Sequence, residues 1–243
     1  MLVYGIHAVS EALQRLPQAS AGTLWLSASR RERSVQALLE RAKALELRVR
    51  EVRREKLDQL APGAVHQGVV LEAEAFCYSE LDTVLERAKS RNASIIMILD
   101  GIQDPQNLGA LLRTASAFGL LGVIIPKDRA ASVNATAIKA SAGAALHLPV
   151  VRVPNLARAI EQVQEAGYWV YGATGDAKLR AEDCDWNGHI ALVMGAEGQG
   201  LRRLTRERCD HLLRLDHDKR MESLNVSVAA GILLYLVSRA QVG

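Results

Sequence analysis

Asn107 with Arg113, Glu197, and Ser223 with Asn225 are the polar residues of three stretches that otherwise look like strand ends, turns and helix starts. In DGIQDPQNLGALLRTASAFG (100–119) an apolar run closes on Asp100 and Gly101, and helical spacing resumes around Asn107. Loops at the carboxyl ends of parallel strands are where such sheets bind ligands. Asn107 can cap that helix, and Arg113, about two turns further on, projects a fixed cation. A capped helix with a surface arginine explains the same residues. In ALVMGAEGQGL (191–201) Glu197 stands between Gly195 and Gly198, and glycines let the backbone approach a ligand without interference from Cβ. The spacing Gly-x-x-Gly-x-Gly differs from the Gly-x-Gly-x-x-Gly dinucleotide fingerprint, so a cofactor loop and a tight structural turn both remain open. SLNVSVAAGILLYLVSRA (223–240) opens with two good helix starters, whose neighbouring amides suit an electronegative group. The apolar face behind them, Val228 to Val237, suits a core or a subunit interface.

The elements that must hold these residues follow from periodicity. From Ser94 onward the runs SIIMILD, GVIIP, YWVYGA and HIALVMG alternate with helical stretches that stop at Gly119 and Gly167. Strands bounded by helices imply an α/β fold with a parallel sheet covered on both faces. Before it, TLWLS (23–27) and GVVLEAEA (68–75) suit strands, and Val35, Leu38, Leu39, Ala42 and Leu45 share one helix face, which makes a small α/β unit. SELDTVLERAKSRN, starting at a Ser79 cap, connects the two parts.

Composition narrows the class. The chain has 243 residues, 49% of them hydrophobic, enough for one large or two smaller cores. No apolar run reaches the roughly 18 residues of a membrane span, and MLVYGIHAVSEAL lacks a signal peptide's charged start, so a cytoplasmic location is expected. Cys77, Cys184 and Cys209 form no Cys-x-x-Cys pair and the six histidines no His-x-x-x-His pair, so no metal is expected. The net charge of +3 is uneven: residues 30–56 alone carry +5, leaving the remainder at −2. That block suits a phosphate backbone, or a solvated helix face with Glu/Arg pairs.

In order and residue content, the three stretches resemble the motifs of the SpoU (TrmH-type) branch of the SPOUT RNA methyltransferases. The likeness runs from about residue 94 to 243, while YGIHAVSEAL and GAVHQGVVLEA resemble the small L30e-like RNA-binding domain that precedes this catalytic domain. The resemblance implies an RNA substrate-binding domain at 1–75, a linker at 76–93 and a SPOUT catalytic domain at 94–243, with a deep trefoil knot and a homodimer. Chain-connection rules alone would not propose a knot. It further implies methyl transfer from S-adenosyl-L-methionine to the ribose 2′-hydroxyl of a guanosine in large-subunit (23S) ribosomal RNA, in the peptidyl-transferase P loop. Carried onto this chain, the catalytic set is Asn107, Arg113, Glu197, Ser223 and Asn225; Gly195, Ala196, Glu197, Gly198, Leu215, His217, Ser223 and Leu224 hold the cofactor. Because guanidinium stays protonated in proteins, Arg113 is expected to stabilise developing alkoxide and not to act as the base. Asn107 would orient the ribose or Arg113, Glu197 would brace the loops, and Ser223 with Asn225 would contact cofactor or substrate.

One segment departs from the family pattern. Where relatives read Ile-Pro-Met-x-Gly, this chain has Leu215-Asp216-His217-Asp218-Lys219-Arg220-Met221-Glu222. A hydrophilic, solvated loop is expected there, ahead of an acid–base cluster of Asp216, His217 and Asp218. The departure motivates a rival reading, an RNA-binding SPOUT-fold protein with weak or lost methyl transfer. A nucleotide-dependent oxidoreductase is a second rival, disfavoured by the glycine spacing.

Overall fold

The computed structural model describes residues 2–15, 22–28, 33–73, 76–218, 220 and 223–242. The N-terminal part runs β1 (Leu2–Tyr4), α1 (Ile6–Arg15), β2 (Gly22–Ser27), α2 (Arg33–Ala44), β3 (Arg48–Val52), α3 (Arg54–Leu60) and β4 (Val69–Ala73). Its sheet has the order β1-β4-β2-β3, in which β4 runs antiparallel to both neighbours and β2 parallel to β3. The helix face anticipated on α2 is the buried one: Val35, Leu38, Ala42 and Leu45 all enter the core. Of the run 68–75, residues 74 and 75 lie outside the described residues, as do residues 30–32 of the basic block.

The second part comprises α4 (Leu81–Glu86), β5 (Ser94–Asp100), α5 (Pro105–Ala117), β6 (Gly122–Pro126), α6 (Ala135–Ala140), β7 (Val150–Val153), α7 (Leu156–Glu165), β8 (Trp169–Ala173), β9 (Leu179–Arg180), β10 (His189–Gly195), α8 (Arg203–Arg208), β11 (His211–Arg214) and α9 (Val226–Val242). They form a seven-stranded sheet of order β7-β6-β5-β10-β8-β11-β9, parallel at every pairing. Such a sheet is covered on both faces, so its central strands are continuous apolar runs: every residue of β5 and of β6 is buried.

Two helix starts differ from expectation. α5 begins at Pro105, not at Asn107, because Asp104 takes the cap and accepts from the Gln106 N–H at 2.9 Å. Proline at the first helical position gives up no bond, and this leaves Asn107 one turn inside with its side chain available. Ser79 does not cap α4. Its N–H joins the sheet at the Val150 carbonyl (2.8 Å), and Glu80 precedes the helix without a side-chain cap. The connecting segment is therefore pinned to the sheet, with Leu81, Val84, Leu85 and Ala88 packed against Ile96 and Ile98.

One hydrophobic core passes through both parts, and polar contacts flank it: Glu11 to His147 Nε2 at 2.6 Å, and Lys139 Nζ to the Val65 carbonyl at 2.9 Å. Lys139 belongs to α6, which packs tightly on α5. A Cβ on Gly109 would stand 2.5 Å from both the Ala137 carbonyl oxygen and the Ala140 Cβ. Alanine gains about 1 kcal/mol in helix propensity over glycine, but overpacking against backbone costs about 1–3 kcal/mol. Gly109→Ala is therefore expected to lower the urea midpoint, the opposite of what an exposed helical glycine would give.

Candidate active site

The three polar stretches meet at one amide. Asn225 precedes α9 and uses its Oδ1 to accept from the N–H (2.9 Å) and the hydroxyl (2.6 Å) of Ser227. That fixes the amide as an N-terminal cap. Its Nδ2 then donates to Glu197 Oε1 at 2.6 Å and to Asn107 Oδ1 at 3.2 Å. The Val226 N–H also points at Glu197 Oε1, at 3.5 Å. Residues 118 and 28 positions apart are thus tied by one NH2 group.

Glu197 is held in place by the turn on which it stands. A Cβ at Gly195 would lie 2.2 Å from the Gly200 carbonyl carbon, so the turn closes only around glycine, and the Gly200 N–H donates to the Ala196 carbonyl at 2.8 Å.

Two cavities flank this network. The first, about 260 Å³, is lined by Gly195, Ala196, Glu197, Gly198, Leu215, His217, Ser223 and Leu224, together with Ala173, Thr174 and Gly175 after β8. It lies just below the roughly 300 Å³ usual for small-molecule sites. The whole expected cofactor set lines this one cavity. The β8 contribution was missed, although the strand-like YWVYGA running into Thr-Gly signals a loop at a carboxyl end. The second, about 200 Å³, is lined by residues after β5 (Gly101, Gln103, Asp104, Asn107) and by Glu197, Gln199 and Val226. Glu197, Ala196 and Val226 wall both. Arg113 lines neither cavity: it is exposed on α5, about 9 Å along the axis from Asn107.

The described part of the atypical segment exposes Asp216, Asp218 and Arg220, as expected of a hydrophilic loop, and it is also tied to its surroundings by ion pairs. Asp216 is clamped between Arg214 Nε (2.9 Å) and Arg180 Nε (2.8 Å), and Arg214 also donates to the Ala177 carbonyl at 2.9 Å. The Asp216 carboxylate thus ties the segment to β9. Leu215 and His217, on either side, line the first cavity, and His217 Nδ1 lies 3.1 Å from the Leu215 carbonyl and so carries the proton in that contact. Asp218 is held below the usual carboxylate range by its bonds from Arg220, so it is a permanent anion and not an acid at neutral pH. Lys219, Met221 and Glu222 lie outside the described residues. Burial, followed by the Asp210 and Asp100 charges, pushes the Cys209 thiol up to about 12, which removes it as a nucleophile. Among the described residues no cluster of His, Cys, Asp or Glu could hold a metal ion, and no helix is long and apolar enough to cross a membrane.

Comparison with known proteins gives this arrangement a context. The profile of the SpoU rRNA Methylase family matches residues 94–235, and that of the RNA 2′-O ribose methyltransferase substrate-binding family matches residues 2–79. The chain is 46% identical over 98% of its length, and 95% of the relative's, to the 23S rRNA (guanosine-2′-O-)-methyltransferase RlmB of Pseudomonas aeruginosa. It is 44% identical to the Coxiella burnetii protein of the same name, over 98% of this chain and 94% of that one. Among solved structures, the SpoU methyltransferase AviRb of Streptomyces viridochromogenes in complex with AdoMet superposes with a TM-score of 0.81 at 25% identity, over 98% of this chain and 89% of that one.

The amide at the centre can be tested by exchanging one atom. Asn225→Asp keeps a good cap for α9 but sets two carboxylates in contact where a donor met an acceptor. Because both side chains are exposed, a loss of up to about 1 kcal/mol near neutral pH is expected, shrinking at acid pH, where a protonated carboxyl can donate. Urea midpoints at the two pH values, compared with those of the unaltered protein, check this. Architecture, motif geometry and both family matches agree: the chain belongs to the SpoU rRNA methylase family, preceded by that family's substrate-binding domain.

Proposed function

We propose that this chain methylates the ribose 2′-hydroxyl of a guanosine in 23S ribosomal RNA, in the peptidyl-transferase P loop, using S-adenosyl-L-methionine. The observation that carries the reading is the Asn225 amide joining Asn107, which lines the second cavity, to Glu197, which lines both, so that a donor in one can meet an acceptor in the other. The relatives' names supply the nucleotide class. The residues of the first cavity fit the cofactor: Met194, Leu215, Leu224 and Ala229 offer apolar surface to an adenosine, the glycine turn offers backbone groups, and Glu197 offers a carboxylate to a cation. When bound, the cofactor supplies an electrophilic methyl group on sulfonium sulfur.

The chain's own work is alignment, since in-line transfer gains most of its acceleration from positioning. Glu197 and Asn107 are fixed by Asn225, Gly195 to Gly198 and Leu224 bound the cofactor side, and Ser223 and His217 form its polar rim. Arg113 stabilises the developing alkoxide as a fixed cation. Because Arg113 is exposed outside both cavities, it acts in a homodimer, at the site of a second copy. The stripe Val228, Ile232 and Tyr235, 51%, 40% and 53% exposed on α9, supports such a pairing. A trefoil knot in residues 94–243 belongs to the same reading, supported by β10 lying between β5 and β8. Residues 1–75 act as the RNA-binding domain, where Arg48, Arg50, Arg53, Arg54 and Lys56 stand exposed along β3 and α3. The linker at 76–93 and a cytoplasmic location complete it.

Incubation with labelled S-adenosyl-L-methionine and unmodified 23S transcript is expected to give one alkali-resistant guanosine in the P loop. Label elsewhere would shift the target, and no label would overturn the activity. In the same assay Arg113→Ala should abolish turnover while RNA affinity stays within a few-fold, because one cation adds little to a multi-phosphate interface.

A further inference from the structure

Asp100 is the sole buried carboxylate among the described residues, and its Oδ1 the sole buried side-chain polar atom among them without a hydrogen-bond partner. The carboxylate closes β5 opposite Gly195, the last residue of β10. Its Oδ2 accepts from the Arg202 backbone N–H at 2.7 Å, while Oδ1 faces Arg202 Nε at 3.6 Å, just beyond hydrogen-bond reach. The glycine turn carrying Glu197 is therefore gripped at both ends: at its start by the β5–β10 ladder, at its end by Asp100.

The Arg202 side chain carries the grip further. It lies over Gly101, where a Cβ would stand 2.9 Å from Nη2, and Nη2 donates to the Arg129 carbonyl at 3.3 Å. One arginine thus joins the Glu197 turn to the loops after β5 and β6, and the loop after β5 supplies much of the second cavity. A desolvated carboxylate with an unmet oxygen is destabilising where it stands, and such groups recur where geometry is set for function.

We propose that Asp100 and Arg202 form a positioning pair for methyl transfer. They set the height of the Glu197 turn against the Asn225 amide, through the Asp100 Oδ2 bond to the Arg202 N–H and the Arg202 side chain laid over Gly101. This rests on the methyltransferase reading above. Neither residue touches the reacting atoms: each acts through Glu197.

Two variants test it. Arg202→Ala removes a side chain that is 44% exposed, so the core is untouched, and Asp100→Asn keeps shape while removing charge. Each is expected to lower kcat by about 10- to 100-fold with both KM values within a few-fold, since a small misplacement at the reacting centre is costly. The double variant should fall no further than the worse single one, as for residues acting as a unit. Amide exchange gives a readout that needs no turnover: residues 196–202 of the unaltered protein should gain protection on adding S-adenosyl-L-methionine, and those of either variant should not. Native turnover with native exchange in Arg202→Ala overturns the proposal. So does a loss of turnover that follows a lowered melting midpoint and adds up in the double variant, which marks a merely structural contact. If Asp100→Asn fails to fold, Arg202→Ala decides alone. If the unaltered protein transfers no methyl group, the functional reading fails, and the exchange arm still judges the pair.

Discussion

The Asn225 side chain is the constraint on which the site rests, because its hydrogen-bonding capacity is fully used. An amide offers two donors and two acceptor lone pairs. Here the donors go to Glu197 and Asn107, and the acceptors receive the Ser227 N–H and hydroxyl. A flipped amide would turn its oxygen towards the Glu197 carboxylate and its NH2 towards the Ser227 N–H, setting acceptor against acceptor and donor against donor. The cap of α9 therefore dictates which way the donors point, and helix start and site geometry become one choice. Serine could cap the helix, and aspartate could too, but neither could also present two donors to the neighbouring loops.

That choice works because the sheet delivers three loops to one place. β5 and β10 are paired in register from Ser94 with His189 to Asp100 with Gly195, so both strands end level with each other. β11 stops one strand beyond β8, and the segment after it leads back to α9. Regular pairing fixes where the loops begin, while glycine and asparagine fix where they go. At Gly195 a side chain would strike the Gly200 backbone, so the strand can turn at once. At Asp216, ion pairs with Arg180 and Arg214 hold the chain where Leu215 and His217 line the first cavity. Exposed ion pairs are individually weak, about 0–1 kcal/mol, so this placement depends on several partners together.

Legibility in the sequence followed burial. SIIMILD, GVIIP and HIALVMG coincide with β5, β6 and β10 because a strand covered on both faces must be apolar throughout. RVREV, VVRV and HLLR do not read as strands in the sequence because they lie nearer the sheet edges, where charged residues are tolerated and the apolar run is broken. The start of α5 was misplaced by two residues, since Asp-Pro reads equally well as a turn and as a cap followed by the first helical residue. At the site, residue types were visible and partnerships were not. Asn107, Glu197 and Asn225 each have a local explanation, and only the three-dimensional path brings them within 3.2 Å of one amide. Asp100 looked like the end of a strand and Arg202 like one more arginine. Nothing in their spacing announces that they meet.

The same tertiary path links the N-terminal sheet to the helix that carries Asn107. α6 sits between the N-terminal sheet and α5: Lys139 reaches the Val65 carbonyl on one side, and Gly109 admits the Ala137 backbone on the other. β1 adds a contact from Tyr4 to Thr136, and α1 adds Glu11 to His147. Packed interiors resist deformation, so a helix held this closely transmits position and does not absorb it. The N-terminal sheet therefore meets α5, the helix that holds both Asn107 and Arg113, through α6, which touches it at β1. The continuous core fixes the placement of the N-terminal sheet relative to α5, and with it relative to Asn107 and the Asn225 amide.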